Sequence, residues 1–212
     1  MNDKANGLIS RRKLLATGGI ATGMLLGGVS LPAAAQRVYY PRGDMILGDP
    51  NAPVEVIEYA SMTCSDCRRF HEEVYPALTE EWVFSGKVRF VLREYPLDRY
   101  ALQASMLARC SGEQNFFGVV DVLFERQPSW SKIANPTAAL RQIGMQFGVS
   151  GQAFDACMAD ESLVDMILSS RLEGHQRMRV TSTPTLFVNG QMVSNPMDYS
   201  EISGRIRSAL QR

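Results

Sequence analysis

The sequence predicts an α/β fold interrupted by an all-helical insertion. Three observations carry that reading. A strand-like run, Val54 to Tyr59, leads straight into a helix-like one; the stretch from Asp98 to about Ala159 reads as helices only; and an Asn189-Gly190 turn separates two short strand-like runs near the end of the chain. A βα-β unit and an αββα unit thus flank a helical block of roughly 60 residues.

Residues 36–53 read as irregular, with Pro41, Gly43, Gly48 and the turn-like Gly48-Asp49-Pro50-Asn51. Residues 54–97 form the first part of the α/β body, beginning with the strand Val54-Glu55-Val56-Ile57-Glu58-Tyr59. Cys64-Ser65-Asp66-Cys67 opens a helix that is expected to reach about Phe84, with a bend at Pro76 and Gly86 as its end. Lys87 to Arg93 then alternates like a strand. Within the insertion, residues 98–159, Asp98 caps a helix to Cys110, and a second runs from about Glu113 to Glu125. Asn135-Pro136 supplies an N-cap with proline at the first helical position, and Ser150 caps a short helix holding Cys157. Residues 160–212 return to the α/β body with a helix from about Asp160 to Arg177 and a strand at Thr185–Val188. The Asn189-Gly190 hairpin turn leads to Gln191-Met192-Val193. Asp198 and Glu201 resemble a capping box for a last helix, with Tyr199, Ile202 and Ile206 on one face.

With 212 residues, 45% hydrophobic and 21% charged, the chain has enough material for one domain of decent size. Its 22 basic and 22 acidic residues cancel. Lys4, Arg11, Arg12 and Lys13 against Asp3 give the first 35 residues a net +3, which leaves −3 on the rest. A mildly acidic body argues against a nucleic-acid surface. Residues 1–35 read as an export signal: Ser10-Arg11-Arg12-Lys13-Leu14-Leu15, an uncharged Gly- and Ala-rich stretch, then Pro32-Ala33-Ala34-Ala35 with cleavage after Ala35. The paired arginines resemble a twin-arginine signal, with Leu14 where the usual Phe follows them. A general secretory signal containing Arg-Arg is the alternative. Either route places the mature chain in the periplasm, an oxidising compartment. All four cysteines lie in the mature part, and their even number suits disulfides.

A Cys-x-x-Cys at a strand-to-helix junction puts one thiol on the exposed first turn of a helix. There the unpaired N–H groups and the helix dipole favour a thiolate. The second thiol is close enough to close a small disulfide ring, the geometry that thiol–disulfide exchange requires. Cys110 and Cys157 lie in separate helices of the insertion. In an oxidising compartment they read as a structural disulfide, with two buried free thiols as the alternative.

The order of elements, Cys64-Ser65-Asp66-Cys67, and Ser182-Thr183-Pro184-Thr185 before the last hairpin resemble the thioredoxin fold. The helical insertion narrows the resemblance to DsbA-like thiol–disulfide oxidoreductases, over about Gly48 to the C-terminus. Thioredoxin itself fits less well, because its Trp before the first Cys is Thr63 here and it lacks the insertion. The resemblance implies that Cys64 is the exposed nucleophile and Cys67 the buried partner that resolves mixed disulfides. It implies that Pro184 is a cis-proline beside the disulfide, leaving the Thr183 backbone free to pair with an extended substrate peptide. Some DsbA-like proteins, notably from alphaproteobacteria, carry a second cysteine pair like Cys110 and Cys157.

Glu58 stands six residues before Cys64, where the family has a buried acid beneath the active site. Period-two alternation puts it on the face of Val54 and Val56, from which a carboxylate could relay protons for Cys67. An edge-strand surface Glu is the other reading. Ser65 and Asp66 are the tuning positions of the motif. Asp66 stands where the best-studied relatives have His, and its charge is expected to oppose ionisation of Cys64, giving a weaker oxidant. Arg68 and Arg69 are expected to soften that effect from further along the helix. His71 and His175 read as ordinary surface or partly buried residues, outside any metal-ligand spacing.

The sequence therefore predicts a periplasmic enzyme that introduces disulfide bonds into exported proteins, reoxidised by a DsbB-like membrane protein. It is expected to need no cofactor and no metal, and to be soluble and monomeric once processed. The rivals are an isomerase or reductase of the same fold, and a chaperone-like or metal-binding module in which Cys64, Cys67 and His71 hold the ion.

Overall fold

The computed structural model describes residues 43–212; the expected export signal lies outside the described residues. Five strands form one sheet in the order β1-β3-β2-β4-β5, where β1 is Met45–Leu47, β2 Val54–Ala60, β3 Val88–Glu94, β4 Thr185–Val188 and β5 Gln191–Met192. Only β2 and β3 run parallel; β1 pairs antiparallel with β3, and β4 with both β2 and β5. All seven residues of β2 are buried, so the strand is covered on both faces. Val54, Val56 and Ala60 face the main core with Phe90, Leu92 and Leu186, while Ile57 and Tyr59 face a smaller cluster with Val91, Val180 and Phe187. Glu58 shares the main-core side and is fully buried, which removes the surface reading.

Two local expectations are corrected. Residues 36–53 are not wholly irregular, because Met45–Leu47 pairs with Phe90–Leu92 as β1. The helix opened by the cysteine motif is not continuous to Phe84. It ends as α1, Ser65–Glu73; the short α2, Tyr75–Leu78, follows, and Thr79–Val83 forms a π-helical turn. Pro76 sits in the first turn of α2, where its missing N–H does no harm, so the chain breaks at Val74 before the proline instead of bending at it.

Helices fill the chain between β3 and β4: α3 (Arg99–Cys110), α4 (Glu113–Glu125), α5 (Gln127–Ser131), α6 (Pro136–Gln146), α7 (Gly151–Met158) and α8 (Glu161–Gln176). A final helix, α9 (Tyr199–Leu210), follows β5. Side chains of Asp98, Asn135, Ser150, Asp160 and Asp198 accept from the first N–H groups of α3, α6, α7, α8 and α9. Each satisfies donors that have no partner inside the helix. Asn189 and Gly190 both adopt positive φ, as a tight hairpin turn requires. Glu201 departs from the capping-box pattern: its carboxylate accepts from Ser194 and Asn195 N–H, not from Asp198. Cys110 and Cys157 are disulfide-bonded, joining α3 to α7. The bulk of the core, including Phe70, Phe116, Phe124 and Trp130, lies between the sheet and α1, α4 and α5.

Candidate active site

The site is built where β2 ends and α1 begins. Residues 61–63 connect them, and this loop is held from two sides. Thr63 donates to the Asp98 carboxylate at 2.6 Å, and the Leu97 N–H donates to Ser61 Oγ at 3.3 Å. From the insertion, the buried Gln127 amide at the start of α5 donates to both Met62 O and Cys64 O, each at 2.9 Å. Asp98 therefore caps α3 with one oxygen and fixes this loop with the other.

Cys64 is the N-cap residue of α1, in extended backbone, and is partly exposed; Cys67, one turn in, is fully buried. Both are free thiols. When protonated, the Cys64 Sγ donates to the Thr183 carbonyl at 3.3 Å, and the Thr183–Pro184 peptide bond is cis. This brings the segment before β4 against the motif across 119 residues of sequence.

The two thiols are set apart electrostatically. Cys64 is lowered from 9.0 to about 6. The Cys67 thiol donating to it is the largest cause. Partial burial opposes the shift, and the Thr183 side chain and the Cys67 and Asp66 N–H groups add to it, although Cys64 makes no regular side-chain cap. Cys67 is pushed well above 9.0, first by burial, then by its bond to Cys64 and the nearby Glu58 carboxylate. At neutral pH one sulfur is an accessible anion and the other a buried thiol.

Asp66 acts on Cys64 through its N–H. Its carboxylate is 61% exposed and lies 3.4 Å from Arg69, the arginine expected to soften its charge. Ser65 contributes the first helical residue of α1. His71, read as ordinary from the sequence, is not: its side chain is 4% exposed and its Nε2 lies 2.9 Å from Glu58 Oε2. The ring packs between Tyr75 and Phe124, with centroids 4.4 and 4.2 Å away. His175 is the more ordinary of the two, Nδ1 meeting the Val180 carbonyl at 3.1 Å. Among the described residues, no group of three or more His, Cys, Asp or Glu is gathered to hold a metal ion.

The structure thus brings Glu58, Cys64, Cys67, Thr183 and Pro184 together and leaves Cys110 and Cys157 apart in the insertion. Sequence reasoning missed Gln127, Asp98 as a loop partner, and the Glu58–His71 bond. The i, i+4 spacing of Cys67 and His71 puts both on one face of α1, a signal for the histidine's inward direction. No comparable signal marks Gln127.

A family model described as thioredoxin matches residues 41–208. A Rickettsia bellii protein provisionally named a protein-disulfide oxidoreductase is 30% identical over 169 residues, covering 79% of this chain and 65% of the relative. The chain spans between 55% and 65% of the length of the Rickettsia relatives it matches. Disulfide bond formation protein D of Bacillus subtilis is 24% identical over 183 residues, covering 80% of this chain and 78% of that one. The crystal structure of Wolbachia pipientis alpha-DsbA1 superposes with a TM-score of 0.76 at 26% identity, covering 84% of this chain and 96% of that one. With the paired thiols, the Thr183–Pro184 segment and the helical insertion in place, this chain belongs to the thioredoxin family and has the DsbA-like form of its fold.

Proposed function

We propose that this chain is an exported thiol–disulfide oxidoreductase that donates its Cys64–Cys67 disulfide to cysteine-containing proteins. The observation that carries the reading is the asymmetry of the two thiols. Cys64 is accessible and acid, at about 6, while Cys67 is fully buried with its proton held tightly. A substrate thiolate attacks Cys64 Sγ; the Cys64–Cys67 bond breaks, and its electron pair stays on Cys67, which takes up a proton. A second substrate thiolate then attacks the substrate sulfur of the mixed disulfide. Cys64 leaves as a thiolate, the substrate is oxidised by two electrons, and the Cys64/Cys67 pair is reduced. A stabilised leaving thiolate favours this direction.

In this reading Glu58 supplies the proton to Cys67. Thr183, beside Pro184, offers its backbone to an extended substrate segment, and Ser65 and Asp66 set the fine balance of the potential. Asp66→His should raise that potential. The sulfurs carry the chemistry without a cofactor. Export rests on residues 1–35, whose composition supports it; among the described residues no helix is long and apolar enough to cross a membrane. The substrates are folding exported proteins in the periplasm, met by a soluble monomer, and a DsbB-like membrane protein restores the disulfide.

The test is the reduction potential of the mature protein against glutathione. A value between about −120 and −180 mV, where strong disulfide donors lie, supports the reading. A value near about −230 mV or lower overturns the donor role in favour of a reductase or isomerase.

A further inference from the structure

A cavity of about 640 Å³ opens between α1, α2 and α4, with His71, Tyr75, Phe117, Asp121 and Phe124 in its lining. His71 forms part of its inner wall. One ring nitrogen, Nε2, is bonded to Glu58; the other, Nδ1, is buried and has no hydrogen-bond partner in the protein. Glu58 likewise uses Oε2 on His71 and leaves Oε1 without a partner, while its charge bears on Cys67. Asp121, on α4, is reached by solvent at the cavity yet crowded by apolar neighbours. Burial raises its carboxyl pKa, and the charge of His71 acts in the opposite direction.

These groups meet a need that exchange creates. Cys67 is fully buried, so a proton arriving at or leaving its sulfur has to pass through the protein. Other titratable groups around His71 are accounted for. Tyr75 of α2 has its hydroxyl pKa raised by burial; Glu72 of α1, also in the lining, is paired with Arg68; Glu125 of α4 lines the cavity too.

We propose that His71 and Asp121 conduct protons between the buried Glu58–Cys67 pair and the cavity between α1 and α4. The proposal deepens the exchange reading above and rests on it. When the Cys64–Cys67 bond breaks, the electron pair on Cys67 takes a proton from Glu58. His71 Nε2 returns one to Glu58, and Nδ1 is recharged from the cavity, where Asp121 exchanges with solvent. When the disulfide re-forms, the proton leaves by the reverse route. An imidazole suits this position because it can accept on one nitrogen while donating from the other. His71 is thus a positioning and proton-carrying residue that acts through Glu58.

The experiment is stopped-flow reduction of the oxidised mature protein by a dithiol peptide, from acid to alkaline pH, for wild type, His71→Gln, Asp121→Asn and His71→Ala. Glutamine keeps a hydrogen bond to Glu58 but cannot pass a proton between two ring nitrogens. His71→Gln is expected to slow reduction by about a hundredfold, the low end of general acid–base contributions, and to alter the pH profile. Asp121→Asn should give a smaller loss in the same pH range. Imidazole in the buffer, entering by the cavity, should restore much of the rate of His71→Ala. Wild-type rates and profile in His71→Gln overturn the proposal and leave the exchange reading standing. So does a slow variant with an unaltered profile and no imidazole rescue, which would show a packing role. A wild-type protein inert to the peptide overturns the exchange reading, and this proposal with it.

Discussion

Replacing Cys67 by alanine removes the donor that does most to keep the Cys64 thiol acid. In the reduced protein Cys64 titrates at about 6, against an ordinary 9.0. At pH 7 the lower value leaves about nine-tenths of the thiol ionised, whereas an unperturbed one would be only about one-hundredth ionised. The Cys67 S–H outranks the Thr183 side chain and the backbone N–H groups among the causes. Cys67→Ala is therefore expected to move the Cys64 midpoint from about 6 toward 9.0. Thiolate absorbance in the ultraviolet, followed across pH, reads the midpoint directly. Alkylation at pH 7 gives an independent check. Because nucleophilicity rises with pKa, the loss of about ninetyfold in thiolate that a full return to 9.0 would bring should slow alkylation by only about fourfold. Asp66→Asn is the comparison: its carboxylate is 61% exposed and lies beside Arg69, so the midpoint should move much less than in Cys67→Ala. A Cys67→Ala midpoint that stays at about 6 would refute the reasoning and assign the acidity to the start of α1 instead.

Four further outcomes are expected. Cys110→Ala with Cys157→Ala should lower the unfolding free energy by about 4 kcal/mol in a urea melt, the chain-entropy value for the 47-residue separation that the disulfide spans; a loss below about 1 kcal/mol would show that other contacts already constrain the insertion. Gln127→Leu strips the donor from two carbonyls, at about 1–3 kcal/mol for each one left buried and unpaired, and should speed amide exchange around residues 62–64. Unchanged stability and exchange would mean that the loop holds its shape without that amide. Gly174→Ala places a Cβ 2.6 Å from a carbon of the fully buried Tyr59 ring and should destabilise by about 1–3 kcal/mol; a neutral melting temperature would contradict the close fit. Glu201 titrates at about 2, held down first by the Ser194 N–H, with Arg205 and the Asn195 N–H helping against partial desolvation. Its folded value lies below the ordinary 4.5, so its contribution is complete above 4.5 and disappears as pH falls through about 2. Glu201→Gln should flatten the stability profile over that window, and a profile with the wild-type slope would count against the bond pattern.

Much of the fold was legible because its signals are local. Asp98, Asn135, Ser150, Asp160 and Asp198 each satisfy donors within three residues, so the sequence around a cap is enough to place it. The Asn189-Gly190 turn likewise demands a backbone that few other residues adopt. Strand β1 was not legible: three residues cannot display an alternation, and its register comes from β3, more than forty positions away. In the site, the cysteine spacing and Thr183-Pro184 announce themselves, and Glu58 follows from strand periodicity. Its partner does not, because the distance from Glu58 to His71 is set by how α1 docks on β2. Gln127 is a polar residue between Arg126 and Pro128 with nothing in its surroundings to separate it from a solvated turn. Only the packing of α5 against the loop gives it two carbonyls to serve.

That pair of hydrogen bonds changes how the insertion should be regarded. An appended module can be excised or exchanged at its two junctions, leaving the parent body whole. Here the parent body's reactive loop has its own backbone completed by a side chain from the guest. Cutting out residues 98–159 would expose Met62 O and Cys64 O on either side of Thr63, and would remove the Asp98 carboxylate that Thr63 itself uses. A minimal version of this protein, pared down to sheet and flanking helices, would keep both cysteines in sequence yet lose the mould that shapes the turn between them and the sheet. Grafts between relatives should therefore carry the loop and the insertion together, as one heritable part.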